Sequence, residues 1–98
     1  MKVRKARDIV SALERKGFHK VKEKEHHKYY FLYVNEIKTN IYTYISHGKK
    51  SKDYGKKLMN KIKNQLKFDD SNIAEDFFDC PFTKEMYVEM LKKKDLID

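Results

Sequence analysis

Four histidines, His19, His26, His27 and His47, are the side chains of this sequence best suited to move protons near neutral pH. Metal-assisted chemistry has little to build on. Cys80 is the single cysteine, and neither a Cys-x-x-Cys pair nor a His-x-x-x-His pair occurs. Adjacent histidines on a regular strand point to opposite faces, so His26 and His27 cannot share one ion. No glycine-rich phosphate loop and no nucleophile elbow is present. No cofactor is expected. The structural alternative for any one of these histidines is a strand-edge residue hydrogen-bonded to backbone.

The other chemistry on offer is anion binding. Ser46-His47-Gly48-Lys49-Lys50-Ser51-Lys52-Asp53-Tyr54-Gly55-Lys56-Lys57 is the most basic stretch of the chain. It leads into a helix, and a helix N-terminus favours phosphate through its free N–H groups and its dipole. Lys49, Lys50, Lys52, Lys56 and Lys57 are therefore candidate phosphate ligands, against the alternative of a solvated loop. Tyr29, Tyr42 and Tyr44 are candidates for stacking on nucleic-acid bases, Tyr42 and Tyr44 beside Lys38 and Asn40. Two readings of Tyr42 and Tyr44 stand side by side: a base platform, or a tyrosine surface buried by the C-terminal tail.

The elements that would position these groups follow from periodicity. Val3, Ala6, Val10 and Leu13, with Ile9 beside them, predict a helix over 4–16 that ends at Gly17. From Phe18 the pattern turns to strands, predicted at 18–23, 27–34 and 37–46. Asn35-Glu36 is the turn between the last two, and Ile37, Thr39, Ile41, Thr43 and Ile45 alternate with polar residues and tyrosines. Tyr54, Leu58, Ile62 and Leu66 predict a second helix over 53–67, with Ser51 or Asp53 as N-cap. Both helices must bury their apolar stripes on one face of the sheet, which leaves the other face open. His27 shares a strand face with Tyr29, Phe31 and Tyr33, and His26 one with Tyr30, Leu32 and Val34. If the aliphatic side is the core side, His27 projects from the open face.

The net charge of +8 is unevenly distributed. Residues 1–68 hold 19 Lys/Arg and 6 Asp/Glu, a net +13, and residues 69–98 hold 4 and 9, a net −5. A basic body suits a polyanion, nucleic acid or anionic lipid. No apolar run approaches the ~20 residues of a membrane span, and no membrane partner is expected. The basic start of the chain lacks the apolar stretch of a signal peptide, so a cytoplasmic location is expected. In the tail, Ser71 to Phe78 predicts a short helix, Pro81 breaks it, and Thr83 caps a last helix carrying Met86, Tyr87, Met90 and Leu91. Phe77, Phe78 and Phe82 need burial, so the tail is expected to fold onto the body. The open sheet face is one place they can go, which would make the tail a cover over that face.

The ordered set of a helix ending at Gly17-Phe18, a weak basic strand, Glu25-His26-His27-Lys28-Tyr29-Tyr30-Phe31, a strand ending near Ser46-His47-Gly48, and a helix running from Gly55 to Asn64-Gln65-Leu66 resembles the HicA toxins of prokaryotic type II toxin–antitoxin systems. The resemblance covers about residues 4–68. Lys24-Glu25 stands where the family typically has Gly-Ser before its two histidines. What it implies is an α+β chain of two parts. Residues 1–68 form an α-β-β-β-α domain like a double-stranded-RNA-binding domain: a three-stranded antiparallel sheet with two helices on one face. Residues 69–98, which the minimal members of that family lack, are expected from their own pattern to form an acidic helical extension packed on the body. The resemblance further implies cleavage of mRNA without a metal, catalysed by His27, and a HicB-like antitoxin protein as partner. A second proton-transfer group is needed in principle, and His47 or a tyrosine is the candidate. The alternatives are a non-catalytic RNA-binding module of the same fold, or a protein whose open surface chiefly binds a partner.

Overall fold

The computed structural model describes residues 1–46, 53–79 and 81–98. Their elements, in order, are β1 (Arg4–Lys5), α1 (Ala6–Arg15), β2 (Phe18–Lys24), β3 (His27–Val34), β4 (Ile37–Ser46), β5 (Asp53–Tyr54), α2 (Lys56–Gln65), α3 (Ser71–Asp79) and α4 (Lys84–Lys93). The fold is α+β, with β2-β3-β4 forming a three-stranded antiparallel sheet and four helices around it. No helix is long and apolar enough to cross a membrane among the described residues.

The three predicted strands are present at nearly the predicted bounds. Asn35 and Glu36 close the β3–β4 hairpin with φ 51 and 66, the pair of left-handed residues that a type I′ turn uses to match strand twist. Two irregularities shape the sheet. The β2–β3 register shifts between Lys20 and Lys22, so Val21 is the extra residue and the facing of β2 changes there. Lys20 lies opposite Tyr30 on the core side, whereas Lys22 lies opposite Tyr29 on the other side. A second shift separates the Phe31–Tyr42 and Tyr33–Lys38 pairs. There the Thr39 hydroxyl donates to the Leu32 carbonyl at 2.8 Å and accepts the Ile41 N–H at 3.2 Å, replacing the lost ladder bonds. This shift spans two residues, so the alternation along β4 survives it.

Both expected helices begin later than their periodicity suggested. Arg4 and Lys5 are extended and pair with Tyr54 and Asp53, a two-residue ribbon the periodicity did not reveal. α1 therefore starts at Ala6, and its buried face is Ile9, Ala12 and Leu13, while Val3 is exposed. Tyr54 does not belong to the stripe of α2. It is buried in β5, and its hydroxyl accepts the Ser46 N–H at 2.8 Å. Gly55 is the N-cap of α2 with no side-chain cap bond, so Asp53 does not cap it; the other candidate, Ser51, lies outside the described residues. Leu58 keeps 37% of its surface, and Met59, Ile62 and Leu66 carry the burial. Gly17, at φ 91, turns the chain from α1 into β2; a Cβ there would lie 2.6 Å from Cε of Lys84.

The tail folds as α3 and α4, and the Thr83 hydroxyl caps α4 by accepting the Met86 N–H. Its aromatic side chains do not go to the open sheet face, and the expectation of a cover over that face is overturned. Phe77 and Tyr87 instead join Phe18 and Phe68, with ring centroids 5.0–6.4 Å apart. The reason lies in the inward side of β2. Phe18 is fully buried there, and α1 and α2 alone leave its ring to be covered by the tail. One core thus runs from the sheet through all four helices.

Charge fastens the tail as well. Arg4, with 9% of its side chain exposed, donates to Glu75 at 2.7 Å and to Asp79 at 2.8 Å, and its guanidinium lies 5.1 Å from the Phe78 ring centroid. The Lys2 N–H also donates to Glu75, at 3.0 Å. Partial burial pushes the Glu75 carboxyl up, but the bonds from Arg4 and Lys2 outweigh it and hold Glu75 below its ordinary value. Hydrogen bonding from Arg4 holds Asp79 below its ordinary value too. Two acidic residues of the tail are therefore used to anchor β1.

Candidate nucleic-acid interface

The helices cover one side of β2-β3-β4. On the other, β3 presents His27, Tyr29, Phe31 and Tyr33, while Tyr30 and Leu32 point into the core. The facing expected from the aliphatic residues is the one found. His27 is half-buried at the start of β3, with its ring 4.8 Å from Tyr44 and 6.4 Å from Tyr29, both near edge-on. His26 differs from the expectation. It lies in the two-residue turn before β3, beside Glu25 at φ 57, and is exposed, so it is not the opposite-facing strand neighbour of His27. Lys24 pairs with His27, and a turn of two residues leaves His26 no strand position.

The rings continue from His27 across the sheet. Tyr29 lies 5.5 Å from Tyr44 and 6.2 Å from Tyr42, and Phe31 stacks on Tyr42 at 4.9 Å and 19°. The three tyrosines singled out in the sequence are thus brought together with His27. Phe31, which was not singled out, completes the row. The two-residue shift between Phe31 and Tyr33 sets it opposite Tyr42, where the register of the Asn35-Glu36 turn alone would set it opposite Asn40, so only the face it shares with His27 was legible in the sequence. His19 and Tyr33 form a separate edge-on pair at 5.0 Å.

Lysines lie over this surface. Lys22 Nζ is 5.0 Å from the Tyr29 centroid, Lys38 Nζ 4.2 Å from Phe31, and Lys61 Nζ 4.7 Å from Tyr44. Sequence spacing could not assign these roles. Lys22 reaches the open side only because of the Val21 bulge, and Lys61 comes from α2. α2 itself is held to the sheet by the hydroxyl of buried Thr43, which donates to the Gln65 side-chain oxygen.

The basic connector is only partly in view. Lys56 and Lys57 are exposed in the first turn of α2, which carries no acidic residue. His47, Lys49, Lys50 and Lys52 lie outside the described residues. Because His27 pairs with Ser46, it lies beside the strand end from which that connector departs. Among the described residues no three His, Cys, Asp or Glu side chains come together in a metal-holding group.

The surface can do two things chemically. Its rings and ammonium groups suit bases and phosphates, and His27 can exchange a proton with a group bound on it. No family model, curated protein or solved structure matches the chain.

Proposed function

We propose that the chain is an RNA endonuclease of the HicA kind: cytoplasmic, acting on mRNA without a metal, and held in check by a HicB-like antitoxin protein. The body from α1 to α2 then corresponds to the double-stranded-RNA-binding-domain-like unit of that family, with α3 and α4 added. The observation that carries the reading is His27, half-buried among aromatic rings on the helix-free side of the sheet, beside the strand end that leads into the lysine-rich connector.

In the simplest reaction the RNA 2′-OH attacks the adjacent phosphorus and the 5′-oxygen leaves, giving a 2′,3′-cyclic phosphate and a 5′-hydroxyl. His27 either removes the proton from the attacking hydroxyl or supplies one to the leaving oxygen. His47 or a neighbouring tyrosine takes the complementary step. Lys56, Lys57 and the connector lysines Lys49, Lys50 and Lys52 hold the phosphate and offset its growing charge.

Single-turnover cleavage of RNA in excess chelator tests this. His27→Ala is expected to lose at least ~100-fold in rate, the low end for a removed acid–base group, while His26→Ala keeps cleaving. Full activity in a folded His27→Ala protein would remove His27 from the mechanism. A second reading, a non-catalytic RNA-binding module, is favoured by the Phe31–Tyr42 stack and the lysine-covered rings, which serve binding and which cleavage does not require. Wild-type protein that binds RNA and never cuts it would select that reading.

A further inference from the structure

We infer that the open face of β2-β3-β4 reads single-stranded RNA, and that the lysines now lying over Tyr29, Phe31 and Tyr44 occupy ring faces that bases take when RNA binds. The inference rests on the RNA-handling function proposed above and specifies the strandedness and the seat of the ligand.

Three ring–ammonium pairs carry it. Lys22, Lys38 and Lys61 come from three different elements, β2, β4 and α2, and each ammonium lies 4.2–5.0 Å from a ring centroid. A long lysine stem on an exposed face is free to move. An ammonium loses little by leaving a solvated ring for a phosphate, and the ring it vacates is an apolar plane on which any base can stack. Each swap changes one cation–π contact into one base stack plus one phosphate contact.

The charge of the face points to a polyanion. No open-face position of β2, β3 or β4, as fixed by the strand registers, holds an Asp or Glu among the described residues. The rings require a single strand. In a duplex the base planes are already stacked on one another, and A-form RNA is recognised by its backbone and minor groove. A sheet that lines one open face with the half-buried rings of Tyr29, Phe31 and Tyr44 and the exposed ring of Tyr42 can serve only bases that have left a helix. Four-stranded RNA-binding sheets stack two or three bases, and this three-stranded sheet presents three lysine-covered rings. Tyr44 adjoins His27 at 4.8 Å, so a base seated on Tyr44 brings its flanking phosphodiester to that histidine.

The test is fluorescence anisotropy of the full chain with a labelled 12-nucleotide RNA. Its 2′-O-methyl groups remove the attacking hydroxyl, so the protein cannot cut it during the titration. It is offered single-stranded and as a blunt duplex. The single strand is expected to bind at least ~10-fold more tightly. Phe31→Ala and Tyr29→Ala should each weaken it by at least ~5-fold, the lower end of a lost base stack. Tyr29→Phe, which keeps the ring, should recover most of the loss. Lys38→Gln should reduce the slope of log affinity against log salt by about 0.7, one phosphate of a single strand. Circular dichroism confirms that each variant is folded. If RNA binds but prefers the duplex, or ignores the ring substitutions, RNA sits elsewhere and this inference falls while the RNA reading stands. If the wild type binds neither RNA, both fall.

Discussion

The two sides of the β2-β3-β4 sheet are built from the same material. Aromatic rings on the helix side meet at 5.0–6.4 Å, and those on the other side at 4.8–6.4 Å, with edge-on and tilted pairs on both. What differs is what finishes each cluster. On the helix side Phe18, Phe77 and Tyr87 are fully buried, and the Tyr87 hydroxyl donates to the Leu66 carbonyl at 2.9 Å. Burial alone pushes that phenol far above its ordinary value. On the open side Tyr42 keeps 41% of its surface, and ammonium groups lie over Tyr29, Phe31 and Tyr44. Ring geometry therefore does not separate a closed core from an open face. The cover does: on the helix side even the cations over the rings, Lys16 on Phe77 and Arg4 on Phe78, are nearly buried, and on the other side the lysines are exposed.

The contrast predicts its largest effect on the helix side. Phe77 contacts Phe18, Phe68, Phe78 and Tyr87, so Phe77→Ala opens a cavity at the centre of the joint between tail and body. A loss of about 3–5 kcal/mol is expected, a large part of the ~5–15 kcal/mol that a domain of this size has in total. Urea unfolding followed by circular dichroism measures it. A loss below ~1 kcal/mol would mean that the tail is an appendage, and the two clusters would then differ far less than their burial suggests.

A smaller effect is expected at the ionic clasp. Arg4→Ala leaves Glu75 and Asp79 without their shared partner and should cost about 2 kcal/mol, in the range for hydrogen bonds to charged groups. Both carboxylates ionise more readily folded than unfolded. Their contribution is therefore complete above the ordinary carboxylate range, about pH 4–4.5, and is lost as pH falls through the lowered folded values. The wild type should lose stability below about pH 4 more steeply than Arg4→Ala. Parallel pH profiles for the two proteins would show that the clasp contributes nothing.

The strands were legible because short-range rules decide them. Alternation along Ile37 to Ile45 and the polar Asn35-Glu36 turn fixed the hairpin and its facing, and with them the side of His27, but not the two-residue shift between Phe31 and Tyr33. What escaped the sequence was decided by distant partners. Arg4 and Lys5 continue a helical pattern, yet pairing with Asp53 and Tyr54 draws them into a ribbon, and the same pairing takes Tyr54 out of the stripe of α2. The destination of Phe77 and Phe78 was equally hidden. Their need for burial was plain, but both sides of the sheet are aromatic, and only the depth of Phe18 and the Arg4 clasp select the helix side. At the candidate site the tyrosines were visible as types. Phe31 needed the register shift between it and Tyr33, Lys22 the bulge at Val21, and Lys61 the docking of α2 through Thr43 and Gln65.

The smallest effect should come from the open side, and it is the most discriminating. Tyr42 stacks on Phe31 and approaches Tyr29, but water already reaches much of its ring. Removing it exposes little surface that was not exposed before and leaves no closed cavity, so only a cross-strand pair is lost, worth roughly 0.2–1 kcal/mol. Tyr42→Ala should therefore lower stability by less than about 1 kcal/mol, several-fold less than Phe77→Ala in the same urea titration. On the proposed RNA reading, a ring nearly dispensable to the fold and in line with three lysine-covered neighbours is free to serve the ligand. If Tyr42→Ala instead costs as much as Phe77→Ala, the open-side rings are a second structural cluster, and the distinction drawn from their cover fails.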